Sequence, residues 1–232
     1  MTNADAPSVS VVIPSFNEVG NVQRVALDAL KVLVARGLAS YEIVLVDDGS
    51  SDGTGAAMDS LAARHVAVRV ARHERNRGLG AALRTGFAHC RGSLVTWIPG
   101  DGQFDLADVL TGLDHFPQRD VVVVLRKGPK HPLRGLITLC FHGLIRLLYR
   151  FDATDMCGIF IVKRAVLEQA RATSDDVFFN LEVPIACVRQ GRSIGQIVVP
   201  LKPRLSGKSK VDNLRTFLAN LEEMLRFRFR RQ

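Results

Sequence analysis

The chain reads Ile-Val-Leu-Val-Asp-Asp-Gly-Ser-Ser-Asp-Gly-Thr from Ile43 to Thr54, a short apolar run that ends at two carboxylates and a turn of small polar residues. Central strands of a parallel sheet are apolar on both faces, so the run predicts a buried strand. Ligands of open α/β sheets bind beyond the carboxyl ends of the strands, where Asp47 and Asp48 fall. An ordinary strand-to-helix turn uses the same small residues, so this segment alone leaves both interpretations open.

Strands and helices alternate on both sides of this segment. We predict strands at Val9–Pro14, Tyr41–Val46, Ala67–Ala71, Leu94–Ile98 and Val121–Leu125, and helices at Val19–Arg36, Asp52–Arg64, Leu79–Cys90 and Leu106–Phe116. The pattern then predicts helices at Leu133–Tyr149, Val166–Ala172, Val177–Gln190 and Val211–Phe229, and strands at Gly158–Val162 and Ile194–Val199. This alternation is typical of an α/β fold with a mostly parallel central sheet and right-handed crossovers.

Length and composition fit one large domain, or a domain with an appendage. The 232 residues are 47% hydrophobic and 23% charged, which is enough to bury a sizeable core. Four cysteines lie far apart at positions 90, 140, 157 and 187, without the paired spacing of a zinc site. No signal peptide is recognised at the start, so we expect reduced thiols in a cytoplasmic protein.

The formal net charge of +8 calls for an anionic partner: a nucleic acid, a nucleotide or an acidic membrane surface. The segment Arg126–Arg150 holds six Lys or Arg and no acid, and Lys202–Gln232 holds nine against three acids. The basic surplus therefore lies in the second half, and the first half is expected to bind a small ligand. Nucleic acid is disfavoured because the basic segments lack a recognised motif and, outside the Arg/Phe-rich end, interleaved aromatics.

Two amphipathic helices are candidates for membrane contact. The predicted helix Leu133–Tyr149 is interrupted by charge and reaches only about 25 Å, at about 1.5 Å per residue, so it is too short to span a bilayer comfortably. It docks in the headgroup plane or packs on the sheet, and both interpretations stay open. The Arg/Phe-rich end of Val211–Phe229 binds anionic lipid or is a solvated tail.

Three polar clusters follow predicted strands: Pro14-Ser15-Phe16-Asn17-Glu18, Asp47-Asp48 and Gly100-Asp101-Gly102-Gln103. The carboxyl ends of parallel strands meet at one edge, so the clusters should converge. Carboxylates, an amide and hydroxyls suit a nucleoside, and Asp101 is placed to hold a divalent cation against a diphosphate. Mg²⁺ or Mn²⁺ bound through one or two carboxylates and phosphate oxygens fits so sparse an acidic site.

These clusters resemble a known signature. Segments 11–18, 46–54, 76–82 and 100–103, in this order, are similar to the motifs of family 2 glycosyltransferases. Asp155-Met156-Cys157-Gly158-Ile159-Phe160, Phe179-Asn180-Leu181-Glu182 and the basic loop 204–210 are similar to the branch of dolichol-phosphate and polyprenyl-phosphate mannosyltransferases. The resemblance runs from about Val9 to Lys210, nearly the whole chain.

The resemblance implies a GT-A fold, a nucleotide-diphosphate sugar donor, Mg²⁺ or Mn²⁺, and inversion at the anomeric carbon. Donor contacts carried over by position are Pro14, Phe16, Glu18, Asp47, Asp48 and Gly78, with Arg204, Ser206 and Lys210 on a basic loop that closes over the diphosphate. Asp101 and Gln103 match the metal-binding segment. Arg126 and Arg134 would face acceptor or donor phosphate, and Asp155 and Glu182 match acids near the acceptor.

The resemblance also implies a division of the chain: a catalytic domain at 1–210, with a nucleotide-binding half at 1–125 and an acceptor-binding half at 126–210, and a basic amphipathic tail at 211–232. Two departures qualify it. Pro99 stands where relatives carry the first acid of an Asp-x-Asp motif. Membrane-spanning helices that several relatives add after this domain are not recognised, so an amphipathic helix would hold the protein on the cytoplasmic face of the membrane.

The expected reaction is a single displacement in which an acceptor oxygen attacks the anomeric carbon. A polyprenyl phosphate acceptor is already ionised, so it needs no strong base. A sugar hydroxyl would need a carboxylate such as Asp175, Asp176 or Glu182. A third interpretation, motivated by Pro99, is a sugar-nucleotide-binding module without turnover. Donor base, sugar and oligomeric state are not indicated by the sequence.

Overall fold

The computed structural model describes residues 8–127, 143–149, 151–154, 156–202 and 214–229. Its strands are β1 (Val9–Ser15), β2 (Tyr41–Asp47), β3 (Val68–Arg72), β4 (Leu94–Trp97), β5 (Val121–Lys127), β6 (Met156–Lys163) and β7 (Ile194–Pro200). They form one seven-stranded sheet in the order β3-β2-β1-β4-β6-β5-β7. The predicted α/β class with a mostly parallel central sheet is confirmed.

The helices are α1 (Val22–Ala35), α2 (Thr54–Arg64), α3 (Leu79–Ala88), α4 (Leu106–Leu110), α5 (143–149), α6 (Arg164–Ala170), α7 (Phe179–Arg189) and α8 (Leu214–Phe229). The single helix expected at Leu106–Phe116 is wrong in its second half, because α4 passes into a 3₁₀ helix at Thr111–His115. Gly112 lies in that turn against the sheet, where an added Cβ would come within 2.8 Å of Ile161 Cδ1.

One strand of the described sheet, β6, runs against both of its neighbours. β1, β2, β3 and β4 run parallel, whereas β6 is antiparallel to β4 on one side and to β5 on the other. Two reversals restore the original direction, so β5 and its parallel neighbour β7 run the same way as β4. The carboxyl ends of β1, β2, β4, β5 and β7 therefore all face one edge of the sheet.

The core follows from the apolar runs read in the sequence. All seven residues of β1 are buried, and so are the last five of β2, as expected for strands covered on both faces. Helix α3 lies close against this part of the sheet because Gly86 has no side chain and contacts Val12 and Val46. Burying an aliphatic side chain contributes about 1.5 to 3 kcal/mol, so these strands supply much of the driving force for folding.

Helices α5 and α8 pack together beside α7. Ile145 and Tyr149 of α5 are buried, and the Tyr149 hydroxyl donates a hydrogen bond to the Met224 carbonyl of α8. The Tyr149 and Phe227 rings lie 5.7 Å apart, and the Arg189 guanidinium lies over both. Residues 143–149 therefore pack on the protein, through α7 and α8. The rest of the predicted Leu133–Tyr149 helix lies outside the described residues.

Membrane-spanning helices were sought in the described ranges. None of the helices there combines the length and the apolar character that crossing a bilayer requires.

Candidate active site

The carboxyl ends of β1, β2 and β4 meet, because these strands are neighbours in the sheet. Ser15, the last residue of β1, lies opposite Asp47, the last residue of β2. The Ser15 carbonyl accepts a hydrogen bond from the Asp48 amide at 3.0 Å, and the Pro14 carbonyl accepts one from the Gly100 amide at 3.3 Å. The three polar clusters expected from the sequence thus lie side by side. We call residues 14–18, 47–54 and 100–103 the acidic edge.

Two loops of the acidic edge are tied to each other. The Asn17 amide donates to Ser50 Oγ at 2.9 Å, and the Ser51 amide donates to Asn17 Oδ1 at 2.9 Å. The Glu18 amide donates to Thr54 Oγ1 at 2.8 Å. Asn17 has a φ of 51°, a left-handed conformation that asparagine tolerates better than most residues. These bonds fix the backbone after β1 onto the turn after β2.

The residues expected to border a nucleoside lie on this fixed segment. Pro14 is buried, whereas Phe16 and Glu18 are half-buried. Glu18 Oε2 accepts a hydrogen bond from Asn21 Nδ2 at 2.7 Å, and the Glu18 carbonyl accepts from the amides of Asn21 and Val22 at 2.9 Å. Because these bonds form a turn first, α1 begins at Val22, three residues later than the sequence predicts.

Asp47 holds the turn that leads into α2. It is 5% exposed, its Oδ1 accepts a hydrogen bond from the Ser50 amide at 2.9 Å, and its Oδ2 lies 3.8 Å from Arg72 Nε. The turn passes close to this carboxylate, since a Cβ built on Gly55 would lie 2.5 Å from Asp47 Oδ2. Asp47 is placed at the acidic edge as expected, with its carboxylate directed at protein groups.

Asp48 holds the loop that precedes α3. It is 4% exposed, and it accepts hydrogen bonds from the Arg77 amide at 2.9 Å and the Gly78 amide at 3.0 Å. Gly78 has a φ of 94°, and an added Cβ would lie 2.6 Å from the Asp175 carbonyl oxygen. Only glycine satisfies both demands. Asp48, which was expected to hold the base or the ribose, therefore contacts the loop that contains Gly78. Gly78 was itself expected to contact the donor.

Asp101 and Gln103, the expected metal ligands, follow β4. Asp101 is 7% exposed, and its Oδ1 accepts a hydrogen bond from the Gln103 amide at 3.0 Å. Gly100 abuts the Ser15 hydroxyl, which leaves no room for a side chain at position 100. The Ser15 Oγ atom is buried without a hydrogen-bond partner. Within the described residues, no group of three or more His, Cys, Asp or Glu side chains is arranged to hold a metal ion.

One carboxylate and one amide suit a cation that is shared with a diphosphate. Mg²⁺ is usually bound in nucleotide sites by one or two carboxylates and by phosphate oxygens, with water completing the octahedron. Asp101 and Gln103 belong to one tight turn, which the bond from the Gln103 amide to Asp101 Oδ1 closes. The donor set therefore fits Mg²⁺ or Mn²⁺ delivered with a nucleotide rather than an all-protein metal cage.

Lys202 links the end of β7 to the turn of residues 101–103. Its amide donates to the Gln103 carbonyl at 2.9 Å, and its Nζ donates to Asp105 Oδ2 at 2.7 Å. The hydrogen bond from Lys202 holds the pKa of Asp105 below its usual value, and the bond to Asp105 raises the pKa of Lys202. Sequence reasoning counted Lys202 only as part of the basic surplus, since its partner lies 97 residues away.

The expected acceptor-side residues divide into exposed and buried groups. Arg126 is exposed at the end of β5, and β5 runs like β4, so Arg126 lies at the same edge of the sheet as Asp101. Glu182 is 1% exposed, and its carboxylate accepts hydrogen bonds from the amides of Thr173 at 3.1 Å and Ser174 at 2.8 Å. Glu182 therefore holds the turn before α7.

Five residues singled out in the sequence lie outside the described residues: Arg134, Asp155, Arg204, Ser206 and Lys210.

The model of glycosyl transferase family 2 matches residues 10–169, more than half of the chain. The chain belongs to this family.

Several curated relatives act on polyprenyl phosphates by name. The dolichyl-phosphate β-glucosyltransferase of Saccharomyces cerevisiae is 36% identical over 219 residues, covering 82% of this chain and 66% of that protein. The dodecaprenyl-phosphate galacturonate synthase of Rhizobium johnstonii is 30% identical over 224 residues, covering 92% and 64%. Glycosyltransferase AglD of Haloferax volcanii is 27% identical over 238 residues, covering 94% and 36%. The chain thus spans at most two thirds of these relatives' lengths.

Solved structures share the fold at low identity. Glucosyl-3-phosphoglycerate synthase from Mycobacterium tuberculosis, in complex with Mn²⁺, UDP and phosphoglyceric acid, has a TM-score of 0.76 at 18% identity and covers 100% of this chain and 81% of its own. Mannosyl-3-phosphoglycerate synthase from Rubrobacter xylanophilus has a TM-score of 0.66 at 20% identity, covering 95% and 73%. The GT-A fold expected from the resemblance is confirmed.

Proposed function

We propose that this protein is an inverting glycosyltransferase that moves a hexose from a nucleotide-diphosphate sugar to a polyprenyl phosphate. The observation that carries the proposal is the convergence of residues 14–18, 47–54 and 100–103 at one sheet edge, with Arg126 at the same edge. The names of the curated relatives support the lipid phosphate acceptor. Within this proposal, residues 1–125 bind donor and residues 126–210 bind acceptor.

The donor is proposed to be a UDP-hexose, with GDP-mannose as the second candidate. Named relatives transfer glucose or form a galacturonate conjugate, and the structural neighbour binds UDP. The segment 14–18 would border the nucleoside, and the loop 76–78 would lie beside it. Asp101 and Gln103 would hold Mg²⁺ or Mn²⁺ on the diphosphate, where the cation offsets negative charge on the leaving group.

The acceptor is proposed to be a phosphate rather than a sugar hydroxyl. A hydroxyl would need a carboxylate to remove its proton, whereas a phosphate oxygen is already ionised near neutral pH. Glu182, one carboxylate considered for that task, holds the amides of Thr173 and Ser174. Arg126, exposed at the edge, would bind the acceptor phosphate by charge-assisted hydrogen bonds.

The membrane surface is proposed as the place of reaction. Arg226 and Arg228 of α8 are exposed, as is Arg146 of α5, and the chain carries a net charge of +8. Basic side chains near an anionic leaflet each contribute about 1 kcal/mol to membrane attraction. Peripheral binding at the cytoplasmic face would bring the acidic edge to the lipid phosphate.

Transfer of labelled sugar tests the proposal. Radiolabelled UDP-glucose, UDP-galacturonate and GDP-mannose are each incubated with the protein, Mn²⁺ and vesicles containing polyprenyl phosphate, and the products are partitioned between organic and aqueous phases. Label in the organic phase with one donor is expected. Label only in an aqueous glycan would reject the lipid acceptor, and donor binding without any transfer would favour the module without turnover.

Glu182→Gln tests the choice of acceptor. The amide keeps one acceptor oxygen for Thr173 and Ser174 but cannot act as a base. We expect transfer to fall less than about tenfold, because general-base catalysis is worth about 10²- to 10⁴-fold and none is needed here. A loss within that larger range, in protein that stays folded by circular dichroism, would assign Glu182 as a base and favour a hydroxyl acceptor.

A further inference from the structure

A buried histidine beside the acidic edge has no part in the reaction as proposed so far. The side chain of His73 is 3% exposed, and it follows β3 directly. Its Nδ1 lies 2.6 Å from Asp48 Oδ1, and its Nε2 lies 2.8 Å from Thr85 Oγ1 of α3. The six histidines of the sequence form no ligand-spaced group, so their spacing alone does not single out His73. His73 instead joins three segments that are distant in sequence.

Hydrogen-bonding chemistry orients the imidazole. An ionised carboxylate only accepts, so Nδ1 must carry a proton and donate it to Asp48. The Thr85 hydroxyl can then donate to Nε2, which satisfies both ring nitrogens of a neutral imidazole. Buried polar groups that are fully paired in this way define one geometry, whereas an unpaired member is costly. The chain from Thr85 through His73 to Asp48 therefore fixes the carboxylate plane. We call these three residues the His73 brace.

The carboxylate fixed by the brace holds the loop of residues 75–78. Asp48 accepts hydrogen bonds from the amides of Arg77 and Gly78 at 2.9 and 3.0 Å. Gly49 packs directly on the Arg75–Asn76 backbone, where a side chain would overlap main-chain atoms. The backbone of the loop is thus held against the acidic edge by the Asp48 carboxylate and by Gly49. The side chains of Arg75 and Arg77 stay exposed beside that edge.

We propose that His73 is a positioning residue for donor binding, which acts by holding Asp48 so that Asp48 keeps the 75–78 loop, with its two arginines, against the nucleotide-diphosphate sugar. The inference rests on the proposed function for the identity of the ligand. His73 does not touch substrate in this scheme. It orients the carboxylate that orients the loop, so its loss should weaken donor binding and leave acceptor binding unchanged.

Two substitutions at His73 separate positioning from general packing. His73→Phe fills the space but leaves Asp48 without its imidazole donor. His73→Asn keeps a side-chain N–H that can donate to Asp48 in place of Nδ1. His89→Asn is the matched control, since His89 is also bonded to Thr85, through the backbone carbonyl at 2.8 Å, but is exposed. The dissociation constant of UDP with Mn²⁺ is measured by calorimetry, and KM is measured separately for donor and polyprenyl phosphate.

For His73→Phe we expect a rise in the donor dissociation constant and KM of about tenfold or more, similar to the loss seen when a residue that orients a metal ligand is replaced. Acceptor KM should stay within about twofold, and His73→Asn should recover most of the donor affinity. Amide hydrogen exchange of Arg77 and Gly78 in ligand-free protein should accelerate in His73→Phe and not in His89→Asn, because exchange follows local opening.

Folded His73→Phe protein with wild-type donor affinity and wild-type exchange at Arg77 and Gly78 would overturn the role of His73. Equal losses in His73→Asn and His73→Phe, affecting donor and acceptor KM alike, would also overturn it, because they indicate general destabilisation. Failure of the wild-type protein to bind any nucleotide or nucleotide sugar is a different result. It would refute the proposed function, and exchange at the two amides would still report whether the brace holds the loop.

Discussion

The acidic edge and the region from β5 to α8 differ in how their charged side chains are used. At the acidic edge, Asp47 and Asp48 bind backbone amides of adjoining loops, so short sequence motifs preorganise the backbone. In the β5 to α8 region, Arg126 is exposed at a strand end, and Glu223 of α8 keeps one carboxylate oxygen buried without a partner. Apart from Asp101, which is proposed to hold the cation, the first region should therefore respond mainly to changes of backbone shape, and the second to changes of charge.

The largest expected effect comes from the one carboxylate of the acidic edge that is proposed to serve the reaction. Asp101→Asn keeps an oxygen for the Gln103 amide but removes the charge that would hold the cation. We expect kcat/KM to fall by about 10²- to 10³-fold, the usual cost of losing an electrostatic contact to the developing charge. The assay is sugar transfer across a Mn²⁺ titration.

Asp28→Asn is the control for this charge change, because Asp28 is exposed on α1 and pairs only with Arg24 and Lys31 among its described ion pairs. It should transfer sugar at the wild-type rate. If Asp101→Asn kept wild-type activity and wild-type Mn²⁺ dependence, the proposal that Asp101 holds the cation would be wrong.

Arg126→Ala tests the second region by charge alone. Because Arg126 is exposed at the end of β5, its loss should not disturb the core. We expect acceptor KM to rise about tenfold, equivalent to about 1.4 kcal/mol, with donor affinity unchanged. Arg164→Ala, which removes an exposed arginine paired with Glu168 on the same helix, α6, is the control. A rise in donor KM instead would place Arg126 on the donor side.

Gly78→Ala tests the backbone contact between the 75–78 loop, which Asp48 of the acidic edge holds, and Asp175 of the second region. The φ of 94° and the 2.6 Å approach of an added Cβ to the Asp175 carbonyl predict both strain and overlap. We expect a loss of about 2 to 6 kcal/mol in the free energy of unfolding, from about 1 to 3 kcal/mol for each cause. The measurement is urea denaturation.

Gly37→Ala separates backbone strain from steric overlap. Gly37 has a φ of 66°, but nothing lies within 4 Å of an added Cβ. It should cost about 1 kcal/mol. If both variants lost the same free energy of unfolding, the 75–78 loop would have moved to accommodate the added methyl group. The contrast between the two regions would then be weaker.

The sequence predicts the acidic edge better than the second region for a physical reason. Apolar runs locate β1, β2 and β4 to within one residue, and parallel strands place their ends together without further information. The antiparallel direction of β6 and the bond from Lys202 to Asp105 depend on pairing between distant segments, which local periodicity does not report. His73 was missed for the same reason, since its partners Asp48 and Thr85 belong to other elements.

The smallest expected effect lies at Glu223, where α8 contacts the turn before α7. Burial raises the pKa of Glu223 above its ordinary value of 4.5, and the neighbouring carboxylates of Asp175, Asp176 and Glu182 raise it further, while a bond from the Asp175 amide opposes the shift. Arg84 also faces this cluster, paired with Asp175. A raised pKa means that the folded state binds the Glu223 proton more tightly, so the contribution of this group to stability is fully present below pH 4.5 and is lost as the pH rises through the folded pKa.

Glu223→Gln should remove that loss, because the amide has no charge to bury. We expect the variant to unfold at a higher urea concentration than the wild type at pH 7 and at the same concentration near pH 4. Glu222→Gln, on the exposed side of α8 and paired with Arg226, should show no such gain. A Glu223→Gln variant less stable than the wild type at pH 7 would contradict this prediction. It would mean that the bond from the Asp175 amide to the charged carboxylate stabilises the fold more than the burial of that charge destabilises it. Charge would then hold the second region together, as backbone contacts hold the acidic edge.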